Sequence, residues 1–155
     1  MNDALAWNGN WAWSLPLIVV TVIFHVIGLA FINERIFALA RYMRREHRFL
    51  LAFAPIMGLC ALSMTLLHAL EAGIWACLYW TLSALPDGRS ALLYSFGAMT
   101  TYGHAPFYLA PHWQLMGTLE ALNGMILFGL TTAFLYQIIR DVLPNVGMLE
   151  SGQNL

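Results

Sequence analysis

Few residues in this chain carry chemistry, and nearly all of them sit inside apolar sequence. Glu120 is the sole charge between positions 115 and 139, and a carboxylate at membrane depth is costly unless it finds a partner or faces water. His68 and Glu71 stand three residues apart, a spacing at which two side chains meet on one helix face. His25, His68, His104 and His112 offer a metal-binding or haem reading, because two histidines on facing helices suffice as axial ligands. Against it, no H-x-x-x-H or H-E-x-x-H spacing occurs, His104 and His112 fall in a loop, and nothing requires His25 and His68 to share a depth. Cys60 and Cys77 lie in helical apolar runs and are expected as small buried hydrophobes. The run Thr100-Thr101-Tyr102-Gly103-His104 is followed by Pro106 and Pro111, which cannot continue a helix. Non-helical backbone between apolar spans is tolerated only where protein buries it or it lines water. None of these groups reads as an enzyme.

The elements that position them follow from hydropathy. The 155 residues are 60% hydrophobic and 10% charged, against about a quarter charged in soluble domains; so much apolar surface fits a membrane and excludes a soluble fold of this size. Positions 15 to 32 hold one strongly polar residue, His25, and nearly cross a hydrocarbon core of about 30 Å. Trp7, Trp11 and Trp13 precede them as an interfacial belt. The start lacks the basic residues of a cleaved signal, so this first span is expected to be retained. Five of the seven cationic side chains, Arg35, Arg41, Arg44, Arg45 and Arg48, cluster within 34–48. They read as a cytoplasmic loop touching anionic lipid; a voltage sensor would need them within an apolar span. There is no lysine and no basic groove for nucleic acid.

A second apolar stretch runs from 49 to 85 and ends at Pro86-Asp87-Gly88; its length predicts a tilted helix or a span followed by an interfacial turn. The third spans 113 to 139 and closes on Arg140. Between them, 90 to 99 is apolar, opens with Ser90 as a prospective N-cap, and is too short to cross. Placing the arginines inside puts the N-terminus and the 86–112 segment outside and the C-terminal tail, 141–155, inside. A multi-pass protein of a bacterial-type plasma membrane is expected.

In sequence order, Leu93-Tyr94-Ser95, Thr100-Thr101-Tyr102-Gly103-His104, Trp113-Gln114-Leu115 and Asn123-Gly124-Met125-Ile126-Leu127-Phe128-Gly129-Leu130-Thr131-Thr132-Ala133 resemble the two-helix pore module of bacterial potassium channels. That module reads L-W-W-S-x-x-x-x-T-T-V-G-Y-G-D, then W-G-R, then A-G-I-T-S-F-G-L-V-T-A. The resemblance implies an all-α integral membrane fold with three transmembrane helices, a re-entrant pore helix and a filter loop per subunit, assembled as a homotetramer. It implies a selectivity filter at Thr100, Thr101, Tyr102, Gly103 and His104, and a cavity and hinge at Gly124, Met125, Phe128, Thr132 and Tyr136. The competing reading of that stripe is packing against the second span. Aligned from Ser95, the filter lacks a Val-Gly pair. An ungapped register on Tyr-Gly would instead put Thr101 at a glycine position, where a β-branched residue at positive φ is strained, so the gap is preferred. The lost pair would remove about 6 Å of dehydrated path and weaken ion discrimination.

His104 stands where the family has an acidic mouth residue. Four protonated imidazoles there would repel cations, or His104 hydrogen-bonds the loop from the side. Glu120 is expected behind the filter, bonded to pore-helix or loop amides; direct ion contact and an interfacial position are the alternatives. The leading expectation is a weakly selective or non-selective channel for monovalent cations, potassium or sodium, with no bound cofactor. The first span would be a peripheral addition, and an unknown regulatory subunit remains open as a partner. The alternatives are a non-conducting accessory or assembly subunit with the same fold, and the haem or metal protein above.

Overall fold

The computed structural model describes residues 3–44, 49–103 and 107–142, with side chains over 7–39, 53–103 and 107–141. Helix α1, Asp3–Arg44, is 42 residues long, roughly 60 Å at 1.5 Å per residue and about twice the hydrocarbon thickness. The segment expected as a basic loop is therefore helical as far as Arg44. Glu34 to Arg44 contains no glycine or proline and is built largely of strong helix formers; charge marks where a chain leaves the hydrocarbon, not where its helix ends.

Helix α2, Phe49–Thr81, has 33 residues. After a turn comes α3, Gly88–Met99, of 12 residues. Its N-cap is Asp87, whose carboxylate accepts the Ser90 N–H at 2.9 Å and the Ser90 hydroxyl at 2.7 Å. Ser90, expected as the cap, is instead the donor to it. A 3-10 turn, Pro111–Trp113, leads into α4, Gln114–Val142, of 29 residues.

Three stretches, Trp7–Leu39, Phe53–Thr81 and Pro111–Asp141, are long and apolar enough to cross a membrane. Val19, Ile23, Ile27, Leu62, Leu66 and Leu70 point outward, forming apolar flanks that suit lipid. This is an all-helical transmembrane protein. Helix α1 packs along both α2 and α4, and α3 lies against α2 and α4.

Two buried clusters stack along the bundle. One gathers Trp75, Tyr79, Met99, Met116 and Leu127 near α3; the other gathers Ile36, Ile56, Cys60, Met64, Leu67 and Ile138 toward the opposite end. His25, His68, Glu71 and Thr131, all buried, occupy the waist between them. Cys60 and Cys77 are free thiols, but only Cys60 is buried; Cys77 faces outward, against expectation, because its helix position turns away from both clusters.

Candidate functional site

The C-terminus of α3 sets the geometry of the loop beyond it. The N–H groups of Thr100, Thr101, Tyr102 and Gly103 donate to the carbonyls of Phe96, Ala98, Gly97 and Gly97, closing a Schellman turn with Thr101 in its left-handed position. Thr101 has φ 55° and Gly103 has φ 66°. The chain thus accepts at Thr101 the strain that argued for a gap in the filter, and the gap loses that support. Thr100, Thr101, Tyr102 and Gly103 are exposed on the single chain, Tyr102 by 68%. His104 lies outside the described residues, as do Arg45 and Arg48, and so do the side chains of Arg41 and Arg44. Behind the turn, Tyr94, Ala98, Thr101, Phe107 and Thr118 line a cleft of about 380 Å³ between α3 and the start of α4.

Glu120 is fully buried in α4 and joins three helices. Tyr79 of α2 donates its hydroxyl to Glu120 Oε2 at 2.7 Å, and Glu120 Oε1 contacts the Ser95 hydroxyl of α3. The partners are hydroxyls, where amides were expected. Ser95 Oγ also donates to the Ala72 carbonyl at 2.8 Å. The Ser95 hydroxyl owns one hydrogen, so if it serves Ala72, the hydrogen between Ser95 and Glu120 belongs to the carboxyl. A neutral Glu120 then gives each of the three contacts one hydrogen. Tyr94 stacks edge-on against Tyr79, with ring centroids 5.5 Å apart. Burial pushes the Tyr94 phenol up from its ordinary value.

Gly124, expected as a hinge, is where α4 meets the end of α3. A Cβ there would collide with the Met99 carbonyl oxygen, so glycine is required for close approach. Met125, Thr132 and Tyr136 are exposed. Phe128, 39% exposed, has its ring 4.3 Å from that of His68.

Sequence reasoning missed the role of α1. Asn10, Ser14, Thr21 and His25 are all buried at intervals of 4, 7 and 4 positions, one helical stripe of small and polar residues of the kind that joins helices closely. Asn10 Nδ2 donates to the His112 carbonyl at 2.7 Å and its Oδ1 accepts the Met116 N–H at 3.1 Å, clasping the start of α4. Asn123 Nδ2 donates to Thr21 Oγ1 at 2.8 Å. A Cβ at Gly28 would press on the Leu67 side chain. The first span is therefore tied to the bundle by buried polar side chains, and the spacing of those residues was the available signal.

At the end of that seam, four side chains close a ring. His25 Nδ1 lies 2.7 Å from Glu71 Oε1, and His68 Nδ1 lies 3.1 Å from Glu71 Oε2. The two Nε2 atoms meet Thr131 Oγ1, at 3.0 Å from His68 and 3.1 Å from His25. The histidines therefore do share a depth, with ring centroids 5.2 Å apart. Both use the same pair of partners, so no space for a porphyrin lies between them. The donor atoms of His25, His68 and Glu71 come within 4.8 Å of one another. Atoms around a tetrahedral ion with bonds of about 2.0–2.1 Å stand roughly 3.3 Å apart. The 2.7 Å contact is a direct hydrogen bond, and the four groups hold one another. Comparison with family models, with curated proteins and with solved structures finds no match to this chain, so its function is argued from these sites.

Proposed function

We propose that the chain is one subunit of a tetrameric, weakly selective channel for monovalent cations, with α3 as a re-entrant pore helix and residues 100–104 as the filter. The observation that carries this reading is the attachment of α3. A 12-residue helix cannot cross a bilayer, yet its polar centre is bonded to both neighbouring spans through Ser95, Glu120 and Tyr79. Its end is seated on Gly124. Those contacts fix the following turn as a filter requires, because carbonyl ligands discriminate ions only when their positions and number are held. The exposed stripe of Met125, Thr132 and Tyr136, with two polar members, suits a cavity wall better than lipid.

With Thr101 accepted at positive φ, the register that aligns Tyr102-Gly103 with the family's Tyr-Gly needs no gap. In that register Thr101 takes the place of the first filter glycine, so Gly103 is the one glycine where the family has two, and His104 stands in place of the acidic residue. Fewer residues able to alternate backbone handedness and no acidic mouth support weak selectivity. Flux through liposomes tests the proposal, comparing potassium, sodium and chloride, with Gly103→Val as control. Potassium and sodium should pass at comparable rates, chloride should not, and the variant should be silent. Absence of cation flux from a tetrameric preparation would favour the non-conducting accessory subunit; a monomer would sink both.

A further inference from the structure

The ring of His25, Glu71, His68 and Thr131 has a proton count that fixes its charge. Each of its four contacts needs one hydrogen. Two neutral imidazoles and one hydroxyl bring three, and an ionised carboxylate brings none. In that state one contact sets lone pair against lone pair. A fourth proton fills every contact, either on the second imidazole nitrogen of one histidine or on Glu71, and these are tautomers across the 2.7 Å bond. With four protons the net charge is zero, the state least costly at membrane depth. A fifth would drive the Thr131 hydrogen out of the ring.

We propose that this ring is an intramembrane proton-binding site that takes one proton from water, locks α1 to α2 and α4 while it holds it, and places α4 under the control of pH. Glu71 and Thr131 have no exposure and little exposure respectively, whereas the His68 side chain is 11% exposed. His68 also stacks on Phe128, next to the stripe assigned to the cavity wall. Protons therefore enter from that side, and the control of conduction rests on the channel reading. Glu71 and His68 from α2 and His25 from α1 are the titratable groups that meet in the ring; α4 contributes Thr131 and Phe128, neither of which titrates. Glu120, the buried carboxyl of α4, lies 11 positions before Thr131 and is engaged with Tyr79 and Ser95.

Glu71→Gln is the deciding variant. The amide accepts from one Nδ1–H through oxygen and donates to the other Nδ1 through nitrogen, so the ring closes at zero charge with no added proton. In full-length protein in nanodiscs, wild-type stability should fall as pH rises above the range where free histidine titrates, about 6.5. The native ring there holds one proton that the unfolded chain has lost, so the folding equilibrium changes by up to tenfold per pH unit. Glu71→Gln should fold and stay flat from pH 7 to 9. Imidazole nitrogen shifts of His25 and His68 should titrate as one event in wild type and not at all in the variant. A shared pH profile, a Glu71→Gln protein that fails to fold, or stoichiometric binding of added zinc by wild type alone would each overturn the proposal. Neither stability nor nitrogen shifts depend on conduction. A ring that titrates in a protein without flux leaves the proton site standing and removes the channel; flux with a ring that does not titrate does the reverse.

Discussion

Replacing Glu120 by Gln and by Ala separates a neutral, hydrogen-bonded carboxyl from a charge that the pore helix needs. Glu120 has no exposed surface, and its partners are the Tyr79 hydroxyl at 2.7 Å and the Ser95 hydroxyl. Gln keeps the shape, accepts from Tyr79 through its carbonyl and donates to Ser95 Oγ, leaving one N–H unused. That surplus donor should cost on the order of 1–2 kcal/mol. Ala leaves the Tyr79 hydroxyl without an acceptor, about 1–3 kcal/mol, and opens a cavity where three helices meet, for a total of about 3–5 kcal/mol. The difference between the variants, about 2–3 kcal/mol, corresponds to roughly 4–12 °C in melting temperature at the usual 2–4 °C per kcal/mol for a chain of this length. Thermal unfolding in one detergent, followed by tryptophan fluorescence because Trp75 lies in the same cluster, measures both. If Gln proves as damaging as Ala, Glu120 works as an anion and the hydrogen count given for Ser95 is wrong.

Gly124→Ala should destabilise by about 1–3 kcal/mol and abolish flux, because the Met99 backbone must move, whereas a Cβ at Gly129 meets open space within one chain. A large loss at Gly129 would instead report a neighbouring chain packed there, and melting of the two variants distinguishes these. Thr101→Gly should stabilise by about 1–2 kcal/mol by removing a β-branched residue from φ 55°; a lower melting temperature would show that the left-handed turn is not kept in the membrane. Asn10→Ala should loosen the start of α4, seen as faster amide exchange at Met116, whose N–H it accepts. Hydrogen bonds from the Ser90 backbone and hydroxyl hold the Asp87 carboxyl below its ordinary value. Its contribution is therefore complete above the unfolded value, about 3.9, and lost as pH falls through the folded one. Exchange at residues 88–91 should quicken in strong acid in wild type and be quick at every pH in Asp87→Ala.

Much of the architecture is legible in the amino-acid sequence. Three apolar runs, the short segment before Thr100 and the turn at Pro86-Asp87-Gly88 are local properties of composition and length, and the helices follow them. The ends were less legible: α1 runs on to Arg44 and α3 starts at Gly88, because hydropathy records where hydrocarbon ends, while helix ends depend on caps and on residues that tolerate either state. The partnership of His68 with Glu71 was implied by their spacing. That His25 joins them, and that Thr131 closes the ring, depended on the relative rotation and depth of three helices. Likewise Glu120 announced itself as a buried carboxylate needing partners, but only the packing of α3 between α2 and α4 decided that these are Tyr79 and Ser95. Sequence by itself determined which residues cannot face lipid unaccompanied; tertiary structure decided which of them accompany each other, because hydrogen bonds require both partners within about 3 Å and correctly turned, and no spacing along one helix sets a distance to another.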